Sequence, residues 1–364
     1  MSRIAALAEI VKKNDADAML LTGEVNLIYA LETTALEGQC LILADGTAIL
    51  ITDGRYTETA EAKLLPRGFR VLTRSNASGM YEYLQSVLDA YQVQKLLYED
   101  DVLTVDRFAA MREKLPCSFL PIGSRILSLR ARKSEEEIAS IVIAQHIAEA
   151  ALTRLLPELC EGMTEREAAA RLNYYMAISG SEKTSFDTIL LFGENTSLPH
   201  GVPGDRKLCR GDFILADFGA VYRGYHSDMT RTFAFGSATD EMRKVYDTVL
   251  RAQNAARAAA CAGRLCNEMH FAAAKVIEDA GYGTYFTHAL GHSVGLEIHE
   301  MPVAAPRCEE VLCDGIIMTD EPGIYIPGKF GVRIEDMLVI SGDHPVTLTA
   351  FPSDFQILSG EQNG

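Results

Sequence analysis

At 364 residues the chain has material for two or three domain-sized units and for sizeable cores. Hydrophobic residues at 48% and charged residues at 23% describe an ordinary soluble globular composition. A net charge of −16 argues against a nucleic-acid partner and suits a site that holds cations.

The first segment, MSRIAALAEIVKKNDAD, carries Ile4, Leu7, Ile10 and Val11 at helical spacing and reads as an amphipathic helix over 3–14, not a signal peptide. Strands follow at 18–22, 39–44 and 47–52, the last two joined by the Ala44-Asp45-Gly46 turn. Helices at 54–65, 78–91 and 104–115 alternate with strands at 69–73 and 95–99. The alternation predicts a three-layer α/β domain over 1–128 with no phosphate loop or dinucleotide fingerprint, hence a scaffold or oligomerisation domain. Ser128–Lys133 reads as the junction to a second domain over 129–364.

That second domain opens with two capping boxes. Ser134-Glu135-Glu136-Glu137 starts a helix to about 156, and Thr164-x-x-Glu167 starts one to about 179. The loop GENTSLPHGVPGD and an acidic hairpin come next. Helices at 238–262 and 265–280, another loop and a second acidic hairpin then repeat the order, as a pseudo-two-fold α+β domain would require. No apolar run reads as a membrane span, and a cytoplasmic location is the default expectation. The eight cysteines show no C-x-x-C spacing and read as reduced thiols.

The hairpins carry the chemistry. In FILADFGAVYRGYHSDMTRTF, a turn about Tyr222 and Arg223 places Asp217 opposite Asp228; in IIMTDEPGIYIPGKFGVRIEDMLVI, a turn about Gly328 places Glu321 opposite Glu335. Like charges facing across a sheet are destabilising, and burial makes each raise the other's pKa. A chain that does this twice is expected to hold cations there. Between the hairpins, HALGHSVGLEIHE offers His288, His292 and His299, so a two-metal site follows. Asp320, on the opposite strand face from Glu321, is expected outside the metal shell, and Arg333 is expected in a salt bridge.

These segments resemble the metallopeptidases of the pita-bread (creatinase/aminopeptidase) fold, within them the Xaa-Pro aminopeptidases and Xaa-Pro dipeptidases. The matching motifs are Pro199-His200, Asp217-Phe218-Gly219, Ser227-Asp228-Met229-Thr230-Arg231-Thr232, His288-Ala289-Leu290-Gly291-His292, Gly295-Leu296-Glu297-Ile298-His299-Glu300, Glu321-Pro322-Gly323-Ile324-Tyr325 and Gly331-Val332-Arg333-Ile334-Glu335-Asp336. Thr52-Asp53-Gly54-Arg55-Tyr56 resembles, more loosely, the family's non-catalytic domain. The resemblance implies five metal ligands: Asp228 and Glu335 bridging two ions, Asp217 chelating one, His292 and Glu321 completing the other. Mostly oxygen ligands favour hard divalent ions such as Mn2+, with Co2+ or Zn2+ by availability.

The resemblance further implies hydrolysis by a water activated between the metals, with Glu321 moving protons, His200 and His299 contacting substrate, and His288 lining the pocket. His226 reads as passive, and His146, His270 and His344 as structural. Some dipeptidases of the family carry an arginine soon after the His-Glu pair; here Met301-Pro302-Val303 follows His299-Glu300, with Arg307 further on. That absence leans toward an Xaa-Pro aminopeptidase acting on peptides with proline second, the dipeptidase being the alternative; a homodimer is the expected assembly. An amidinohydrolase would lack the carboxylates, a methionine aminopeptidase would lack the first domain, and a non-catalytic binding protein on the fold is the rival of another class.

Overall fold

Ser2 accepts a hydrogen bond from the Ala5 N–H and opens helix α1 (Arg3–Lys13), whose Leu7, Ala8, Ile10 and Val11 are buried as their spacing predicts. The computed structural model describes residues 2–75 and 79–359. The chain forms two compact units, Met1–Arg130 and Ala131–Gly364.

In the first unit α1 is followed by β1 (Ala18–Leu21), α2 (Glu24–Leu31), β2 (Gln39–Leu43), β3 (Ala48–Asp53), α3 (Thr57–Leu64), β4 (Arg70–Arg74), α4 (Met80–Ala90), β5 (Lys95–Tyr98), α5 (Val105–Lys114), β6 (Ser118–Pro121) and α6 (Arg125–Ala131). The strands form one mixed sheet in the order β4-β3-β2-β1-β5-β6. Ala18, Leu20, Ile49 and Ile51 pack with Leu84, Val87, Leu88 and Met111 of α4 and α5. Met19 and Leu21, on the other face, are equally buried, which completes the three layers. The first residue of the 78–91 helix prediction lies outside the described residues.

Helices α2 and α6 and strand β6 are additions to the predicted set. The N-terminus of α2 is capped from far along the chain. The buried Glu99 carboxylate accepts from the Gly23 N–H at 2.8 Å, the Thr22 hydroxyl at 3.0 Å and the Asn26 amide at 2.7 Å. Helix α6 runs through part of the segment read as a junction.

The second unit contains α7 (Glu135–Leu155), α8 (Glu165–Ile178), β7 (Ile189–Phe192), β8 (Phe213–Phe218), β9 (Val221–Tyr222), β10 (Tyr225–His226) and β11 (Met229–Phe235). The order repeats with α9 (Asp240–Ala259), α10 (Cys266–Asp279), β12 (Gly291–Ser293), β13 (Glu300–Ala304), β14 (Ile317–Asp320), β15 (Gly323–Ile326), β16 (Phe330–Arg333) and β17 (Asp336–Val339), then β18 (Val346–Thr347) and β19 (Ile357–Leu358). Both capping boxes form, Ser134 with Glu137 and Thr164 with Glu167. One sheet has the order β19-β11-β8-β7, the other β13-β12-β14-β17-β18, and β9–β10 and β15–β16 are two-stranded ribbons. Leu152 and Leu172 join Phe192, Phe218 and Phe233 in one core; Val249 and Met269 join Met318 and Leu338 in the other.

Two expectations change. Helix α7 belongs to a stretch, Glu135–Glu158, that is long and apolar enough by length and composition to cross a membrane, where no such run was expected; half of that stretch's most apolar part is buried inside the fold. The first hairpin turns about Arg223 and Gly224, so Tyr222 pairs with Tyr225 and Asp217 pairs with Thr230, not Asp228. A two-residue turn of this hand needs positive φ at both central residues. Arg223 has φ 51° and Gly224 φ 79°, whereas a turn one residue earlier would strain Tyr222 and waste the glycine.

The second hairpin keeps its expected register about Gly328: Ile326 pairs with Phe330, and Asp320 with Asp336. Glu321 and Glu335 nevertheless leave the ladder, sending their backbone N–H groups to Leu290 and Thr230 carbonyls at 3.0 and 3.1 Å.

Candidate active site

Four carboxylates gather where the two ribbons depart from the two sheets of the second unit. Asp217 is the last residue but one of β8, Asp228 lies between β10 and β11, Glu321 follows β14, and Glu335 lies between β16 and β17. Ligand oxygens of Asp217, Asp228 and Glu335 lie within 4.8 Å of one another, all three residues buried. His292 Nε2 on β12 stands 3.6 Å from Asp228 Oδ2 and 3.5 Å from Glu321 Oε1. The five residues expected as ligands thus converge.

The electrostatics are those of a site short of positive charge. Burial, then the charges of Asp217 and Glu321, hold the Asp228 carboxyl well above the usual range. Burial and Asp228 do the same to Glu335. Glu321 is pushed up to about 8, by burial and, against the pull of Arg333, by Asp217. The buried atoms Asp217 Oδ1 and Glu335 Oε1 have no hydrogen-bond partner. Buried carboxylates this close together, two of them with an orphaned oxygen, fit hard divalent cations, which would neutralise the charge and supply the missing contacts.

Outer contacts aim the side chains of this cluster. The Thr230 hydroxyl donates to Glu335 Oε2 at 2.7 Å, and the Thr319 hydroxyl donates to Glu321 Oε1 at 3.2 Å. Arg333 Nη2 donates to Asp217 Oδ2 at 2.5 Å, the salt bridge expected of it. His292 Nδ1 lies 3.1 Å from the Ser293 carbonyl. It donates there, which leaves Nε2 with its lone pair toward the carboxylates. Burial and the neighbouring His299 push the His292 ring down to about 4, so it is neutral as a ligand must be.

His288 stands in a directional chain. Arg333 Nη1 donates to the Tyr325 hydroxyl at 2.6 Å, that hydroxyl meets His288 Nε2 at 2.9 Å, and His288 Nδ1 meets the Ala289 carbonyl at 2.7 Å. Since the carbonyl only accepts, Nδ1 carries the proton and the tyrosine donates to Nε2. Both ring nitrogens are therefore engaged. The His299 ring lies edge-on to His292, centroids 4.4 Å apart, and is solvent-exposed. His200 is exposed on the turn after residues 193–197, within electrostatic reach of His288.

His226 is buried and bonded at Nδ1 to the Ser185 hydroxyl at 2.8 Å. His146 and His270 lie on α7 and α10, and His344 in a turn. Asp320 faces Asp336, and Arg257 Nε lies 3.9 Å from Asp320 Oδ2 and Nη2 2.5 Å from Asp336 Oδ2. Thr230, Thr319 and Tyr325 were not singled out in the sequence. For Thr230 a signal existed: it lies two residues from Asp228, at the start of a buried strand.

Residues 139–342 match the model of metallopeptidase family M24, and residues 3–132 match the creatinase/prolidase N-terminal domain. The chain belongs to metallopeptidase family M24. A Pyrococcus furiosus protein named Xaa-Pro dipeptidase is 37% identical over 95% of this chain and 97% of its own length. A solved Xaa-Pro dipeptidase from Bacillus anthracis superposes with TM-score 0.93 at 35% identity, covering 98% of this chain and 99% of that one. An X-Pro aminopeptidase from Thermotoga maritima superposes with TM-score 0.91 at 32% identity, covering 96% and 99%. The first unit is accordingly a creatinase-type α/β domain and the second a pita-bread domain, and M24 membership makes the chain a divalent-metal peptidase.

Proposed function

We propose that the chain is an Xaa-Pro dipeptidase that hydrolyses the bond before proline with two divalent ions, Mn2+ first among them. The observation that carries the two-metal reading is the convergence of buried Asp217, Asp228 and Glu335, one ligand oxygen of each within 4.8 Å of the others, with Asp217 Oδ1 and Glu335 Oε1 unpartnered. The restriction to Xaa-Pro dipeptides is supported by the relatives so named.

Asp217, Asp228, His292, Glu321 and Glu335 would hold the ions. Bound there, the ions supply a water acidified to near neutrality and a polarised carbonyl. Glu321 moves the proton between nucleophile and leaving nitrogen. His299, exposed beside His292, donates to the charge that develops on the substrate, and His200 reaches it from the 198–204 loop. With both ring nitrogens engaged, His288 orients Tyr325 and through it Arg333, instead of touching substrate. Proline has no N–H and a fixed φ, so a pocket shaped to its ring excludes other residues sterically.

A second reading, an aminopeptidase for longer peptides, is favoured by the absence of a basic side chain at 301–303 and by the Thermotoga likeness. The metal-loaded protein is assayed on an Xaa-Pro dipeptide, an Xaa-Pro-Xaa tripeptide and the Xaa-Ala counterparts. A kcat/KM at least tenfold higher for the Xaa-Pro dipeptide supports the dipeptidase. Equal or better tripeptide cleavage supports the second reading. Indifference to proline overturns both.

A further inference from the structure

Two histidines of the candidate site are each followed in the chain by a residue that meets one buried ammonium group. Ser293 follows His292, Glu300 follows His299, and the two pair across β12 and β13. Lys133, just before α7, donates from Nζ to Ser293 Oγ at 3.0 Å and to Glu300 Oε2 at 3.0 Å. Both charged side chains are almost fully buried, with exposures of 1% and 3%. The rung they secure closes the loop 294–299.

The other oxygen of Glu300 secures the loop itself. Oε1 accepts from the Leu296 N–H at 3.1 Å and the Glu297 N–H at 3.3 Å. Gly295 packs against the same carboxylate, and an added Cβ would lie 2.5 Å from Oε2. The Gly295 carbonyl in turn accepts from the His226 N–H at 2.8 Å, which seats the loop on β10. At its far end the loop delivers His299, whose ring meets His292 edge-on.

We propose that Lys133 is a positioning residue for the reaction: through Ser293 and Glu300 it sets the spacing of His292 and His299, although it touches neither metal nor substrate. This rests on the roles proposed for those histidines. A buried ion pair contributes little net stability against well-packed neutral groups, and specifying one geometry is the better-attested use of such a pair. Supporting contacts one layer out from metal ligands are worth about 10–100-fold in affinity or activity.

The test compares the full-length wild type with Lys133→Met/Glu300→Gln. That variant removes both buried charges together and keeps an acceptor for the Leu296 and Glu297 N–H groups, so it avoids the unpaired charge that could unfold Lys133→Met alone. Three readouts are taken: metal content, kcat and KM on an Xaa-Pro peptide, and the imidazole nitrogen NMR signals of 15N-histidine-labelled, metal-free protein. The expected result is a folded variant with KM within about twofold of wild type, kcat lowered about 10–100-fold, and shifted or broadened His292 and His299 signals, with His288 unchanged. Lys133→Arg, which keeps a buried cation, is expected to recover part of kcat. Wild-type kcat together with wild-type His299 signals in the double variant overturns the proposal. If wild type cleaves no Xaa-Pro peptide, the proposed function fails, while the NMR comparison still decides whether Lys133 positions the two histidines.

Discussion

Thr230 holds Glu335 twice: its carbonyl accepts the Glu335 N–H at 3.1 Å, and its hydroxyl donates to Glu335 Oε2 at 2.7 Å. The two residues come from different hairpins, so one repeat fixes a buried carboxylate of the other. Thr319 treats Glu321 similarly, donating to Oε1. Thr230 satisfies Oε2 of Glu335 and leaves the buried Oε1 without a partner. The direction of these two carboxylates is thus set by hydrogen bonds from threonines beside them.

Asp228→Asn and Glu335→Gln each remove negative charge from the converging carboxylates. Each variant is expected to lose at least one metal and to fall to background hydrolysis, read by elemental analysis and turnover on an Xaa-Pro peptide. Near-normal turnover with two metals bound would overturn their assignment as bridging ligands.

His299→Ala is expected to keep both metals and lose about 10²–10³ in kcat, the usual value of one donor to a developing oxyanion. Metal content that falls with activity would make His299 a ligand instead.

The four carboxylates were legible because their chemistry is local: acids inside apolar strands stand out in any register, whereas His292 was chosen among three histidines by the family resemblance. Register was legible only where the turn was read correctly. Gly328 centred the second hairpin, whereas in the first the glycine at 224 demanded a turn one residue later than Tyr222–Arg223. Tertiary support was not legible. Glu99 caps α2 across 76 residues of chain, and Thr230 meets Glu335 across 105. No periodicity encodes such a partner, and the short apolar run of α2 does not by itself choose between helix and strand.

Arg231→Met should cost stability more than activity per folded molecule. The guanidinium is fully buried and donates to Asp336 Oδ1 at 2.7 Å, the Glu335 carbonyl at 2.6 Å, the Pro352 carbonyl at 2.9 Å and the Phe351 carbonyl at 2.5 Å. Removing one side of a buried pair typically costs about 3–5 kcal/mol. Arg257 still reaches Asp336, so the lower end is expected, about 3 kcal/mol by urea denaturation. A loss below about 1 kcal/mol would show that Arg257 alone compensates Asp336.

The metal-free protein should lose stability as pH rises from 6.5 to 8. In the fold Glu321 keeps its proton up to about 8, while the unfolded chain loses it near 4.5. Its contribution is therefore full below 4.5 and disappears as pH rises through 8. His226, His288 and His292, pushed down to about 4 by burial from an ordinary 6.5, act oppositely: their contribution is present above 6.5 and lost as pH falls to 4. Above 6.5 nothing opposes the raised carboxyls of Glu321, Asp228 and Glu335, and each proton lost adds a slope of up to about 1.4 kcal/mol per pH unit. Saturating divalent metal should flatten that slope. A metal-free stability that stays constant from 6.5 to 8 would contradict the protonated Glu321.

Val303 offers a way to turn substrate length into a property of one side chain. It pairs with His292 across β12 and β13, so the two side chains share a sheet face, and it is half-buried with no charge. Val303→Arg would add a guanidinium on the site face, in the stretch where some dipeptidases of the family carry an arginine. A hydrogen bond to a charged group contributes about 1.5–3 kcal/mol, or about 10–100-fold. The variant is expected to raise kcat/KM for Xaa-Pro dipeptides by that factor through KM and to leave Xaa-Pro-Xaa nearly unchanged, because a tripeptide's carboxylate lies one residue beyond the proline. Metal content must stay at the wild-type value, since a cation placed too near the centre would expel an ion and lower both rates together. Equal gains on both peptides would mean that the new arginine does not meet the dipeptide carboxylate, and that residue 303 does not set the length preference.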